Sequence, residues 1–199
     1  ADRKDASNVM LDCIVPSMWD DDLHVLPASH LLEQAERELQ GTAGAPYRIA
    51  DPLAKISHRY SAIVIDTRPS FSLMTEMGLL AATDAIIPVE PRYLETIGLM
   101  SVINKINEIR DGWRIPDLRV SGVLVTKMDR RVRGHHNMLA TIKSHSTLGK
   151  LLCGVIPQNE VVSYAHRSHQ SVFMQDPDAP ASKAYAHLVQ RLITQMDGE

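Results

Sequence analysis

The stretch Tyr60-Ser61-Ala62-Ile63-Val64-Ile65-Asp66-Thr67-Arg68-Pro69-Ser70 limits the fold more than any other part of the chain. Ala62 to Ile65 is apolar without alternation. A strand with one wet face alternates polar and apolar residues, so this run predicts a strand buried on both faces of a parallel sheet. The run stops on a carboxylate, and open α/β sheets bind ligands outside the carboxyl ends of their strands. Position alone leaves Asp66 two readings, a ligand-site residue or a cap for the turn that follows.

Other short apolar runs recur at Leu23–Leu26, Ala85–Val89, Leu118–Thr126 (apolar after Gly122) and Leu151–Ile156. Helical stripes separate them. The end of a helix falls within Ser7–Val15. A helix with Ser29 as N-cap carries Leu31, Leu32, Ala35 and Leu39, and Gly41 closes it. Further helices are predicted at Pro46–His58, Leu73–Ala82 and Leu94–Arg110, the last anchored by Leu94, Ile97, Met100 or Ser101, Ile103 or Asn104, and Ile106. His135–Ser146 and Asn159–Arg167 follow. A terminal helix capped by Ser182 presents Tyr185, Leu188, Val189, Leu192, Ile193 and Met196. Strands alternating with helices at this spacing predict a three-layer, doubly wound α/β fold with a mainly parallel sheet, one domain across residues 1–199.

Composition narrows the classes. With 44% hydrophobic and 23% charged residues the chain is globular. No apolar run approaches the roughly 20 residues that span a bilayer, and Ala1–Ala6 carries no signal-peptide pattern. Cys13 and Cys153 are read as reduced core residues. His166 and His169 share a helical face and His135 and His136 are adjacent, but no cysteine or carboxylate joins either pair at ligand spacing. The net charge of −3 conceals an asymmetry. Residues 1–40 hold nine acids and three bases, whereas residues 127–150 hold Lys127, Arg130, Arg131, Arg133, Lys143 and Lys150 against Asp129 alone. Lys127 to Gly134 reads as a basic loop. It is either a solvated surface or a polyanion contact, and without a base-reading motif the polyanion would be bound by its phosphates.

Six phrases stand in order: Leu-His-Val-Leu-Pro-Ala-Ser at 23–29, Tyr-Ser-Ala-Ile-Val-Ile-Asp-Thr-Arg-Pro-Ser at 60–70, Ala-Ala-Thr-Asp-Ala-Ile-Ile-Pro-Val-Glu-Pro at 81–91, Gly-Val-Leu-Val-Thr-Lys-Met-Asp at 122–129, Gly-Val-Ile-Pro-Gln-Asn at 154–159 and Pro-Ala-Ser-Lys-Ala-Tyr at 180–185. Together they resemble the ParA-type partition ATPases of the deviant-Walker ParA/MinD superfamily. The resemblance runs from about Val9 to Met196. It implies a P-loop NTPase-type fold, ATP and Mg²⁺ as cofactors, dimerisation on ATP, sequence-independent DNA binding, and a ParB-type centromere-binding partner that stimulates hydrolysis. The implied role is plasmid or chromosome segregation by a cytoplasmic, nucleoid-associated protein.

Carried over by position, Asp66 matches the Walker B aspartate, a catalytic residue and metal ligand. Thr67 to Ser70 match the switch segment behind it, with Arg68 in place of one of two prolines. An arginine there either stabilises anionic charge or faces solvent. Pro157, Gln158 and Asn159 match the adenine pocket, and Thr126 ends its strand near the base. Where the family has Glu-Ala-Pro, this chain reads Tyr164-Ala165-His166. Lys127, Arg130, Arg131, Arg133 and Lys143 are the candidate DNA contacts. The family's Gly-rich phosphate loop and the first strands around it are not found in these 199 residues. At Gly149-Lys150, Ser144 stands where the motif's first glycine belongs and Leu151 where it needs a hydroxyl. The expectation is an ATPase whose phosphate loop lies upstream of residue 1, with residues 1–199 inactive by themselves. A naturally loop-less binding scaffold is the alternative.

Overall fold

The computed structural model describes residues 5–197, and the side chains of all of these except 94–97, 196 and 197. The chain divides into two compact units, Ala1–Thr83 with Asn107–Arg119, and Asp84–Ile106 with Val120–Glu199.

In the first unit, α1 (Ala6–Cys13) begins on Asp5, whose carboxylate accepts from the Ser7 N–H at 3.3 Å and pairs with Lys55 at 3.0 Å. The strands β1 (Val15–Pro16) and β2 (His24–Val25) form a short antiparallel hairpin. Within it Asp20–Asp22 is a turn closed by the Asp22 N–H on the Asp20 carboxylate at 2.9 Å. Helix α2 spans Leu32–Leu39. The predicted Pro46–His58 helix is instead a 3-10 turn (Ala45–Arg48), helix α3 (Ala50–Ile56) and a second 3-10 turn (Ser57–Arg59). Pro46 and Pro52 explain the break, since a proline lacks an N–H and fits only the first turn of a helix. Helix α4 (Leu73–Leu80) packs against the first 3-10 turn and α3. Ala45, Pro52, Ile56, Met77 and Leu80 are buried there. Trp113 meets Tyr47 edge-on, ring centroids 5.6 Å apart, and its indole N–H donates to Glu76.

The segment at 62–65 departs from expectation. It forms no ladder, and Ile63 and Val64 are 41% and 93% exposed. Side chains suited to a buried strand do not make one, because a strand exists only through its neighbours' hydrogen bonds. Ile65 and Thr67 do find a partner. A Cβ placed on Gly78 would lie 3.4 Å from Ile65 Cγ2 and 3.3 Å from Thr67 Cγ2, so the absent side chain of Gly78 lets α4 close on this segment. Cys13, expected in the core, is exposed.

The second unit holds β3 (Asp84–Val89), β4 (Arg119–Met128, from Val120 on) and β5 (Leu152–Pro157), a parallel sheet in the order β3-β4-β5 flanked by helices. In β4, Gly122 to Val125 is wholly buried, as an unalternating run in a central strand should be. In β3, Ala85, Ile87 and Val89 are buried while Ile86 and Pro88 are exposed, and Pro88 is tolerated because β3 is an edge of this sheet. Helix α5 (Tyr93–Trp113) buries Leu99, Ile103 and Ile106 within this unit. Its expected anchors Leu94 and Ile97, like Met196, lie outside the described side chains.

Helix α6 (Arg133–Ser144) packs on the short α7 (Leu148–Leu151), and α8 (Glu160–Arg167) on α9 (Val172–Gln175), a turn of helix capped by Ser171, whose hydroxyl accepts from the Met174 N–H at 3.1 Å. The predicted basic loop contracts to residues 129–132, because Lys127 belongs to β4 and Arg133 opens α6. Helix α10 (Pro180–Asp197) covers β5 through Ala181, Ala184, Tyr185, Leu188 and Leu192. Val189 and Ile193, expected on that face, are about half exposed. Ser182 is not a cap. It is fully buried one turn inside, and its hydroxyl donates to the carbonyls of Asp176 (2.7 Å) and Val172 (3.2 Å), tying α9 to α10. Pro180 opens the helix in its place. Gly149 lies in α7, where a Cβ would stand 2.4 Å from the Lys143 carbonyl, so this glycine serves helix packing.

Candidate functional site

Asp66 and Thr67 belong to the first unit, and every other candidate to the second. Along an extended chain, side chains alternate, so Thr67 and Ile65 turn to α4 while Asp66 and Val64 turn the other way. Asp66 is exposed and enters no ion pair with a described residue. The Asp66 carboxylate is a hard oxygen donor, the type that Mg²⁺ takes alongside water and phosphate oxygens. Arg68 is committed elsewhere, bound to Glu36 at 2.7 Å and to Glu33 at 3.3 Å, both on α2.

In the second unit the ends of β4 and β5 place Thr126, Lys127, Pro157, Gln158 and Asn159. The Thr126 hydroxyl donates to the Val89 carbonyl at 3.4 Å, and the Gln158 N–H donates to the Met128 carbonyl at 2.9 Å. The second bond sets Gln158 beside the end of β4, just past Pro157, where its side chain is exposed. Asn159 is half-buried and caps α8, its side-chain oxygen accepting from the Val161 N–H at 2.9 Å, which leaves its amide N–H groups as donors. Lys127 sits in left-handed backbone at φ 51°, within the register shift that separates the Val125 and Met128 pairings with β5. Its ammonium pairs with Glu90, which also holds Arg92 at 2.9 Å. The Lys127 contact foremost, then the charges of Arg92, Lys127 and His135, keep the Glu90 carboxyl below its ordinary range against the opposing effect of burial. In sequence, Glu90 carries no role beyond its place in the phrase at 81–91. Its only signal was its place directly behind a strand.

The basic residues separate into two groups. Arg131 is held by Asp129 and Lys127 by Glu90, whereas Arg130, Arg133 and Lys143 are exposed and form no ion pair with a described residue. The turn before α6 is held by two histidines: His135 Nδ1 accepts from the Asp129 N–H at 3.1 Å, and His136 Nε2 lies 2.8 Å from the Arg130 carbonyl oxygen. At 100° per residue, Arg133, His136, Ala140 and Lys143 fall on one side of α6, opposite the fully buried Ile142. Among the described residues no cluster of three or more histidine, cysteine or acidic side chains could hold a metal ion. His169 closes α8 in left-handed backbone at φ 52°. No described helix is long and apolar enough to cross a membrane.

Parallel strands flanked by helices, with polar groups gathered at the carboxyl ends, define an α/β fold of the P-loop NTPase type. A family model described as an AAA domain matches residues 5–119. The chromosome-partitioning ATPase Soj of Thermus thermophilus is 30% identical over 88% of this chain and 68% of its own length. The sporulation initiation inhibitor protein Soj of Bacillus subtilis is 28% identical over 90% of this chain and 70% of its own. The chain thus spans about two thirds of these curated relatives. In fold it is similar to cobyrinic acid a,c-diamide synthase from Mycobacterium smegmatis with bound ATP analog and magnesium, with a TM-score of 0.71 and 23% identity over 99% of this chain and 75% of the other. The chain belongs to the ParA/MinD-type ATPase family.

Proposed function

We propose that this chain is the greater part of a single-domain, ATP-dependent DNA partition ATPase, which dimerises on ATP, binds DNA without sequence preference and segregates a plasmid or chromosome. The observation that carries this reading is the 30% identity to the chromosome-partitioning ATPase Soj across 68% of that protein. The carboxylate of Asp66 fits the metal. Asp66 would hold Mg²⁺, which when bound neutralises charge on the transferred phosphoryl group, and Thr67, whose side chain turns to α4, would border the nucleotide. Thr126, Pro157, Gln158 and Asn159 would line the base, Pro157 by apolar contact and the other three through polar groups. Arg130, Arg133 and Lys143 would meet DNA phosphates, which they can reach without giving up an ion pair. The cellular setting is the cytoplasm at the nucleoid, with a ParB-type protein as partner.

The test is hydrolysis of Mg²⁺-ATP by the complete protein and its Asp66→Ala variant. A loss of about hundredfold or more is expected, since charge stabilisation dominates phosphoryl transfer. Normal turnover by Asp66→Ala would refute the assignment of Asp66. A complete protein that binds DNA but neither binds nor hydrolyses ATP would favour the loop-less scaffold.

A further inference from the structure

Glu36 joins three segments of the first unit. Its Oε2 accepts from Arg68 Nη2 at 2.7 Å, and its Oε1 accepts from the Met74 N–H at 3.3 Å. Met74 lies in the first turn of α4, where Ser72 at the cap position makes no side-chain capping bond. The capping carboxylate therefore comes from α2. Glu33, one turn earlier on α2, takes the second Arg68 nitrogen at 3.3 Å. The Glu36 side chain is only 18% exposed, so part of this contact is shielded from water. Thr67, which links Asp66 to Arg68, is fixed by packing over Gly78.

We propose that Arg68 is a positioning residue: clamped by Glu33 and Glu36, it fixes the turn that follows Asp66 and so holds that carboxylate in place for Mg²⁺. This rests on the nucleotide-site reading above. A planar guanidinium can reach two carboxylates at once, and an ammonium at the same place is a single point charge. Arg68 is thus joined to α2 at two points, and α2 to α4 through Glu36. A small displacement of a ligand-bearing backbone suffices to degrade a reaction.

The test uses the complete protein. In Arg68→Ala the Mg²⁺ concentration giving half-maximal ATP hydrolysis should rise about tenfold, with ATP affinity in EDTA within about twofold of wild type, because only metal placement is disturbed. Arg68→Lys should recover part of the loss, through one carboxylate. Independently of hydrolysis, backbone amides from 67 to 74 should exchange with solvent about tenfold faster in Arg68→Ala and in Glu36→Ala. An unchanged Mg²⁺ requirement in Arg68→Ala, beside an inactive Asp66→Ala, overturns the positioning role. Unchanged exchange overturns the clamp itself. A fully active Asp66→Ala overturns the metal-site reading, and the exchange measurement still judges the clamp.

Discussion

Asp129 grips Arg131 within a single turn: Arg131 Nη2 donates to Oδ2 at 2.8 Å, Nε to Oδ1 at 3.1 Å, and the Arg131 N–H to Oδ1 at 2.9 Å. The one acid of the basic stretch cancels the arginine two residues away. Charge near this turn is therefore not the charge that a polyanion meets.

If the stretch binds DNA, Asp129→Asn should strengthen binding. It frees Arg131 for a phosphate and steepens the log-affinity against log-salt slope by roughly one unit. Arg131→Ala should leave the slope nearly as it is. Joint replacement of Arg130, Arg133 and Lys143 by alanine should flatten it by roughly three. Titrations of the complete protein with ATP into random duplex DNA at several salt concentrations read all three. A flattening in Arg131→Ala equal to that in Arg133→Ala would show that Asp129 yields its partner to DNA.

Asp129 also sets a pH dependence. The Arg131 side chain first, then the Arg131 N–H, lower its pKa from 3.8 to about 2. A carboxyl depressed in the folded state contributes stability above its unfolded pKa and loses it as pH falls through the folded one. The turn should therefore stay closed from neutrality to about pH 4 and open between there and pH 2. A carboxyl-carbon NMR titration should give a midpoint near 2, and a midpoint at the ordinary 3.8 would show that the pair does not form in solution.

Two glycines are predicted to be intolerant for different reasons. A Cβ on Gly122 would lie 2.6 Å from Cys153 Sγ and 2.8 Å from its Cβ, and one on Gly149 2.4 Å from the Lys143 carbonyl oxygen. Alanine at either position should cost about 1–3 kcal/mol through overpacking. Adding Cys153→Ala should recover part of the Gly122→Ala loss by removing the thiol, whereas Gly149 opposes backbone and no side-chain change should help. Urea unfolding midpoints measure both. Full stability of Gly149→Ala would mean that α7 can shift freely from the end of α6.

Trp113→Phe should lower stability by about 1–2 kcal/mol, because it keeps the aromatic edge toward Tyr47 but removes the N–H that Glu76 accepts. Thermal unfolding monitored by circular dichroism tests this, and an unchanged melting temperature would make the indole bond dispensable.

The strand β4 was legible because everything that makes Gly122–Val125 a buried strand is written in its own side chains. The run at 62–65 carries the same writing and forms no ladder, since hydrogen-bonding partners are not encoded in the residues that need them. Ser182 looked like a cap because serine usually is one. Its hydroxyl instead satisfies two carbonyls near α9, an arrangement invisible until the chain has turned. At the candidate site, the resemblance nominated Asp66 and Thr126 and the charge pattern nominated the basic cluster, but neither said which charges were already matched. Glu90 is 37 residues from Lys127, and Glu36 is 32 from Arg68. Sequence reports the sign of a charge and leaves its neighbour to the fold.

Lys127 shows how a position can hold two separable properties. Its backbone is left-handed, a conformation that glycine and asparagine enter at little cost and β-branched residues at a high one. Its ammonium serves a different purpose, the pairing with Glu90 across the strand ends. Geometry and charge can thus be edited one at a time: asparagine preserves the bend and deletes the ion pair, while a threonine sacrifices both. Any protein engineer reshaping this end of the central strand inherits a bend in the backbone that is independent of the chemistry mounted on it.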